Sequence, residues 1–253
     1  MTTTRKFPRW LAWVLGILVV LLVALGAFLY TQNEPRPQGQ TGPDAEALAD
    51  KMLAAIDAAA WDTTGVIQWT FKGVHQYLWD RERHLTQVLW DDTEVLLDLS
   101  KIEGRVWIAG TEVYQDTAQT AVQKAWSYWC NDSFWLNAPA KCRDEGTTRA
   151  TVDLEDGQRG LLVTYRSGGV TPGDAYLWIL DETGLPTSYK MWVSIIKIGG
   201  LEFTWEDWTQ LPTGAQIAQL HRGPIDLDMS NIRAAHKLSD LGLEEDPFAP
   251  LLE

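Results

Sequence analysis

Residues 66–99 read VIQWTFKGVHQYLWDRERHLTQVLWDDTEVLLDL, and this stretch decides the fold class. In 66–72, Ile67, Trp69 and Phe71 point one way and Gln68, Thr70 and Lys72 the other, the period of two of a half-buried strand. Residues 75–80 repeat the pattern with His75, Tyr77 and Trp79, RERH supplies a polar turn, and 85–90 and 94–99 continue an antiparallel meander.

On the amino-terminal side the period changes to that of a helix. Leu48, Met52, Leu53 and Ile56 are spaced three to four apart across 44–60, behind Asp44 as N-cap. On the carboxyl-terminal side, 106–109 is a short strand and 116–130 a second helix. Ala118, Ala121, Val122, Ala125, Trp126 and Trp129 form one stripe of that helix, Asp116 caps it, and CNDSFWLNAP is expected to end it at Pro139. Strands resume at 150–155, 160–165, 175–181, 187–198, 201–208, 215–221 and 225–230, separated by Gly- and Asp-rich turns. The tail 234–253, acidic and containing proline, is expected to be flexible.

A sheet of this many strands must curl, close or split. Segments 176–180 and 191–196 are apolar on both faces, as in a curved sheet covered on each side. The expected fold is mainly β with helical insertions: a large curved antiparallel sheet, an open half-barrel, packed on one or two helices and preceded by an N-terminal transmembrane helix.

That helix is WLAWVLGILVVLLVALGAFLY, residues 10–30, without a charge. At about 1.5 Å per residue it extends about 31 Å, enough to cross a bilayer core of about 30 Å. Arg5, Lys6 and Arg9 precede it, so residues 1–9 are expected in the cytoplasm and the rest outside. The alternative, a cleaved signal peptide, meets an apolar run longer than the usual about 7–15 residues. The expected organisation is an anchor at 10–30, a Pro- and Gly-containing linker at 31–43, an extracytoplasmic domain at 44–233 and the tail. The expected location is the cytoplasmic (inner) membrane, crossed once, with the C-terminal domain on its extracytoplasmic (periplasmic) side.

Beyond Arg9 there are 18 basic residues against 34 acidic ones, a net charge of −16. Such a domain repels nucleic acid, which is therefore not an expected partner. Cys130 and Cys142 fall on the oxidising side, where they form either a disulfide or two separate buried thiols.

The usual catalytic constellations, HExxH, GxSxG, a Walker loop and paired CxxC, are all missing from the sequence. His75, His84, His221 and His236 share no metal-ligand spacing. No enzymatic activity, cofactor or metal is expected. His75 alternates with Tyr77 and Trp79, which suits a hydrogen-bonded structural histidine or one that faces a pocket.

Tryptophan is the unusual feature: 12 of 14 lie beyond the span. Trp69, Trp79, Trp90, Trp126, Trp129, Trp178, Trp192 and Trp205 are the candidate ligand-binding residues. Large rings with one polar handle line hydrophobic pockets or stack on sugars; they also simply pack cores.

The order of a leading helix, long antiparallel strands, a helical insertion and further strands resembles the lipoprotein-localisation-factor fold. The stretches AWDTTGVIQWTF, HQYLWD, QVLWDD, VLLDL, CNDSFWLNAP, SGGVTPGDAYLW and MWVSIIKIGGLEFTWEDW are similar to a group of uncharacterised bacterial envelope proteins. The first resemblance implies an open half-barrel that wraps apolar residues around a helical lid and holds acyl chains. The expected function is therefore a membrane-anchored binding protein for a hydrophobic ligand or an acylated protein. The alternative is a carbohydrate-binding or envelope-assembly module with exposed tryptophans.

Overall fold

The computed structural model describes residues 13–21, 31, 33–155, 157–167 and 172–252. Two short helices come first: α1 (Pro43–Ala55) and α2 (Ala58–Thr63). The predicted helix over 44–60 breaks at Asp57, whose left-handed backbone (φ 50°) lets its side chain accept from Ala60 N at 3.1 Å and start α2. Asp44 is not the cap; Gly42 holds that position and Pro43 opens the helix.

The meander is observed as β1 (Val66–Phe71), β2 (His75–Asp80), β3 (Leu85–Trp90), β4 (Thr93–Asp98), β5 (Glu103–Ile108) and β6 (Thr111–Val113). One of its two-residue turns is Ala109–Gly110, both at positive φ, between the paired residues Ile108 and Thr111. That is the twist a two-residue hairpin needs. After α3 (Gln115–Asn137) come β7 (Thr147–Asp153), β8 (Arg159–Tyr165), β9 (Ala175–Leu180), β10 (Pro186–Trp192), β11 (Leu201–Thr204), β12 (Glu206–Gln210), β13 (Gln216–His221) and β14 (Leu227–Ala235).

The strands form two antiparallel sheets, not the single expected one. Nine strands run in the order β12-β13-β14-β1-β2-β3-β4-β5-β6, and five in the order β11-β10-β9-β8-β7. The division falls at Trp205, between β11 and β12. There the chain leaves its pairing with β10 (Tyr189↔Phe203) and takes up β13 (Glu206↔Leu220). The buried Trp205 ring turns into the core at the bend. The sheets do not close into a barrel: β6 and β7 are free of each other, and Gln40 of the linker bridges Thr151 on β7.

Alternation sorts the side chains as the sequence predicts. Ile67, Trp69, Phe71, Tyr77, Val88, Val95, Leu97, Leu161, Val163, Trp178 and Tyr189 enter the main core with α3. Val66, Leu78, Leu85 and Leu96 face the opposite side. That outer face is covered by the tail. Phe248 and Leu241 are buried there, Arg83 holds Asp246 at 2.6 Å, and Arg105 donates to Pro250 O at 3.0 Å. The tail 234–253 was expected to be flexible; its few apolar residues instead complete a face that four strand side chains would leave bare.

Most of the expected span lies outside the described residues. Residues 13–21 are helical and all exposed, and among the described residues no helix is long and apolar enough to cross a membrane. Among the described residues every buried one lies at Ala45 or later, so the turns at 13–21 contribute nothing to that core.

Candidate functional site: a helix clasped to the inner aromatic face

Helix α3 is the element that distinguishes this fold from a bare sheet. It is 23 residues long, about 34 Å, and runs through CNDSFWLN rather than ending there. Pro139 stops it two residues past its end, in the 3₁₀ turn Ala138–Lys141. The extension carries Asp132, Ser133, Trp135 and Leu136 into the core beside the predicted Ala121, Val122 and Ala125.

It also separates the cysteines. Cys130 sits about 10 Å along the axis before the helix end, and Cys142 follows the 3₁₀ turn. Both are free thiols, not the disulfide that the compartment permits. Burial pushes Cys130 up to about 12 and Cys142 up to about 11, so neither is a thiolate at neutral pH.

The helix is fastened to β2 by a buried polar cluster. Asp132 is 2 % exposed. Its Oδ2 accepts from the Tyr77 hydroxyl at 2.6 Å and lies 2.7 Å from His75 Nδ1, while Oδ1 accepts from Asn131 Nδ2 at 2.8 Å. Tyr128, one turn earlier, stacks on the His75 ring at 3.9 Å. Burial, reinforced by the Asp132 charge, pushes the Tyr77 hydroxyl far above the usual tyrosine range, so it remains a donor. His75 is thus the hydrogen-bonded structural histidine of the two readings its position allowed. Asp132 is not singled out in sequence, because its partners His75 and Tyr77 lie 57 and 55 residues away along the chain.

Around this clasp the structure brings together seven of the eight predicted tryptophans. Trp69 stacks on Tyr77 at 4.4 Å; Trp79 meets Trp129 edge-on at 5.1 Å; Trp126 stacks on Trp129 at 5.4 Å. Trp90 meets Tyr128 at 5.5 Å, and Trp178 touches Trp205 at 5.0 Å. Trp192 does not join them. It packs with the Ala150, Leu162 and Leu177 cluster on the far side of the five-stranded sheet, and its Nε1 donates to Glu34 O at 2.8 Å. Trp61, Trp135 and Trp208, not singled out in sequence, belong to the inner layer. Trp135 bridges Tyr189 at 5.5 Å and Phe203 at 4.9 Å.

This layer is rich in buried polar atoms without partners. The indole nitrogens of Trp69, Trp79, Trp129, Trp178 and Trp205, and the hydroxyls of Tyr165 and Tyr189, are shielded from solvent and make no hydrogen bond. Each costs about 1–3 kcal/mol relative to a satisfied group. The layer is also filled: a cavity of only about 10 Å³ lies where Trp61, Leu136, Trp205 and Trp208 converge.

His221, at the edge of the layer, is fully buried against Trp205 (4.3 Å). Burial lowers it to about 4, opposed by its bond to Thr204 O. Its unfolded value is about 6.5, so the unfolded chain binds the proton first, and stability is complete above that pH. As pH falls from about 6.5 to about 4 the protein should lose on the order of 3 kcal/mol from this residue. Urea titrations of wild type and His221→Asn across that window check it; the variant should lose this component of the slope.

No family model matches the chain, and no curated protein does. Among solved structures it is similar to the crystal structure of a DUF1329 family protein from Desulfovibrio piger ATCC 29098, at 12% identity and TM-score 0.39, over 83% of this chain and 99% of that one. It is also similar to a putative outer membrane lipoprotein-sorting protein domain from Vibrio parahaemolyticus, at 11% identity and TM-score 0.32, over 81% of this chain and 98% of that one. The second is of the lipoprotein-sorting type that the order of elements resembles. At these TM-scores neither likeness transfers an activity or a residue to this chain.

Proposed function

We propose that this is a membrane-tethered, extracytoplasmic binding protein for an acylated ligand, in which α3 is a lid over the inner aromatic face. The observation that carries the reading is the seam itself. Seven indole and phenol groups are buried without partners in a layer covered by one helix. A hydrocarbon chain alone would leave them unsatisfied; an acyl chain with its ester or amide carbonyls would supply both apolar contact and acceptors. The rings are enclosed rather than displayed in a surface row, which favours this over sugar stacking.

The tether is part of the proposal. Residues 13–21 form an apolar helical stretch with Trp13 at 75 % exposure and no protein surface over it. A second apolar phase, the inner membrane, would bury it as one pass with the domain on the periplasmic side. The proposed role is binding without a catalytic step, a reading supported by the Tyr128 ring stacked on His75 beside Asp132.

The test uses residues 33–253, which contain the whole described core, titrated with a fluorescent fatty acid and with a palmitoylated peptide. Trp126→Ala removes a half-buried ring stacked on Trp129 and should leave the domain folded. If the lid must open, weakening its closure by about 1.4 kcal/mol should tighten apparent affinity about tenfold. Absence of saturable binding in both proteins would defeat the acyl reading, leaving the sugar-binding or assembly module.

A further inference from the structure

The loop between β10 and β11 belongs to neither face of the site, and it is unusual. Ile195 is 72 % exposed and Ile196 37 % exposed, with Lys197 exposed beside them. Scattered apolar residues on a surface are ordinary. Here, though, the loop that shows them is built. Gly200 N donates to Met191 O at 2.9 Å across its base, Ile196 N to Val193 O at 3.1 Å, and Ser194 N to the buried Asp174 Oδ1 at 2.9 Å.

The same loop is tied to the chain just after the expected span. Gly199 N donates to Asn33 Oδ1 at 2.8 Å, Glu34 N to Gly199 O at 3.0 Å, and Lys190 Nζ holds Glu34 at 2.8 Å. The approach is close: a Cβ on Gly199 would lie 2.7 Å from Glu34 O, and Gly200 sits at φ +81°, which only glycine adopts without strain. So the linker is extended but docked on the domain, with Gln40 continuing the contact at β7. Only residues 31 and 32 separate Tyr30, the end of the span, from Asn33. Fully stretched, that is about 10 Å of chain.

We infer that the 193–198 loop is a second membrane contact, with Ile195 and Ile196 seated in the headgroup–acyl boundary of the lipid surface and Lys197 toward anionic headgroups. The inference rests on the tether proposed above. A span that ends within about 10 Å of chain from the base of this loop at Gly199 holds the loop near the bilayer. Apolar side chains beside a basic one are what an interfacial contact uses. The chain as a whole is acidic, so attraction of the entire domain to anionic lipid does not explain such a contact. Docked this way, the domain is oriented on the membrane rather than swinging from it.

The experiment uses the full chain reconstituted in vesicles of phosphatidylcholine and phosphatidylglycerol at about 7:3. An environment-sensitive dye is attached at Ile195→Cys, at Leu18→Cys in the span, or at Ile225→Cys, an isoleucine 57 % exposed elsewhere. The native chain, whose Cys142 is buried and Cys130 part-buried, sets the labelling background. Lipids carrying a nitroxide either near the headgroup end or near the terminal methyl of the acyl chain then report contact at the boundary and in the bilayer centre. Quenching at Leu18 and Ile195, at least threefold stronger than at Ile225, is the expected result. Quenching at Leu18 with Ile195 no different from Ile225 would overturn the loop contact and leave the tether standing. No quenching at Leu18 would remove the tether, and the inference with it.

Discussion

Asp132→Ala should destabilise the domain by about 3–5 kcal/mol and free the second half of α3 from the sheet. The substitution deletes the one carboxyl group that accepts from both Tyr77 (2.6 Å) and His75 (2.7 Å), at a position 2 % exposed. Removing one partner of a buried cluster costs more than the bond was worth, because the groups left behind stay desolvated. Tyr77 is itself 1 % exposed, and its hydroxyl cannot reach water without moving α3. For a domain of this size, about 2–4 °C per kcal/mol gives a fall in Tm of about 6–20 °C. Tyr77→Phe deletes the other side of the pair without stranding a donor and should cost less, about 1–2 kcal/mol. Thermal melts of the three proteins decide it. Equal losses for the two variants would mean that the cluster is wet rather than buried, and α3 would then lack its clasp. Hydrogen exchange adds a local reading: amides of α3 after Tyr128 should lose protection in Asp132→Ala before those of the sheet do.

Trp178→Ala and Trp178→Phe should give very different results. Trp178 is fully buried, against Tyr189 and Trp205, each at 5.0 Å. Truncation to alanine removes most of an aromatic side chain from a filled layer and should cost about 3–5 kcal/mol. Phenylalanine keeps a ring in the same place and loses only the smaller indole volume and its N–H. That N–H has no partner, so its loss should recover part of the volume cost. The expected penalty for phenylalanine is about 1 kcal/mol or less. A loss above about 2 kcal/mol would show that the indole N–H is hydrogen-bonded in solution, and the unpartnered layer on which the acyl reading rests would shrink accordingly. Urea denaturation at constant slope separates these outcomes.

Much of the candidate site was legible. Tyr77 and Trp79 were placed on one face of β2 by alternation, and the Ala121, Val122, Ala125 stripe placed α3 on its face. Period alone gives those assignments, since it depends only on where each backbone geometry aims successive side chains. Asp132 was not legible. A charged residue in a polar stretch (Cys-Asn-Asp-Ser) reads as the end of a helix, and only two side chains more than 50 residues upstream make it tolerable inside. Trp192 stands apart from the other seven for a related reason. Its alternation with Met191 is correct, yet which face of a two-sided strand meets α3 is not written in a segment apolar on both sides.

Local periodicity settles the elements: strands through the meander and from β7 onward, one long amphipathic helix between them, and an uncharged stretch near the amino terminus. These follow from local geometry and composition. Contacts between distant segments set the rest: the strands divide into two sheets at Trp205, the helix runs on to Asn137, Cys130 and Cys142 remain apart, and the tail and linker lie docked on the domain. Each of those depends on a partner far along the chain: β13 for the bend, Tyr77 and His75 for the helix, Val66 and Leu96 for the tail, Gly199 for the linker. Long-range burial outweighs local preference at such places, because covering an apolar side chain contributes about 1.5–3 kcal/mol, while most residues' helix propensities differ by less than about 1 kcal/mol.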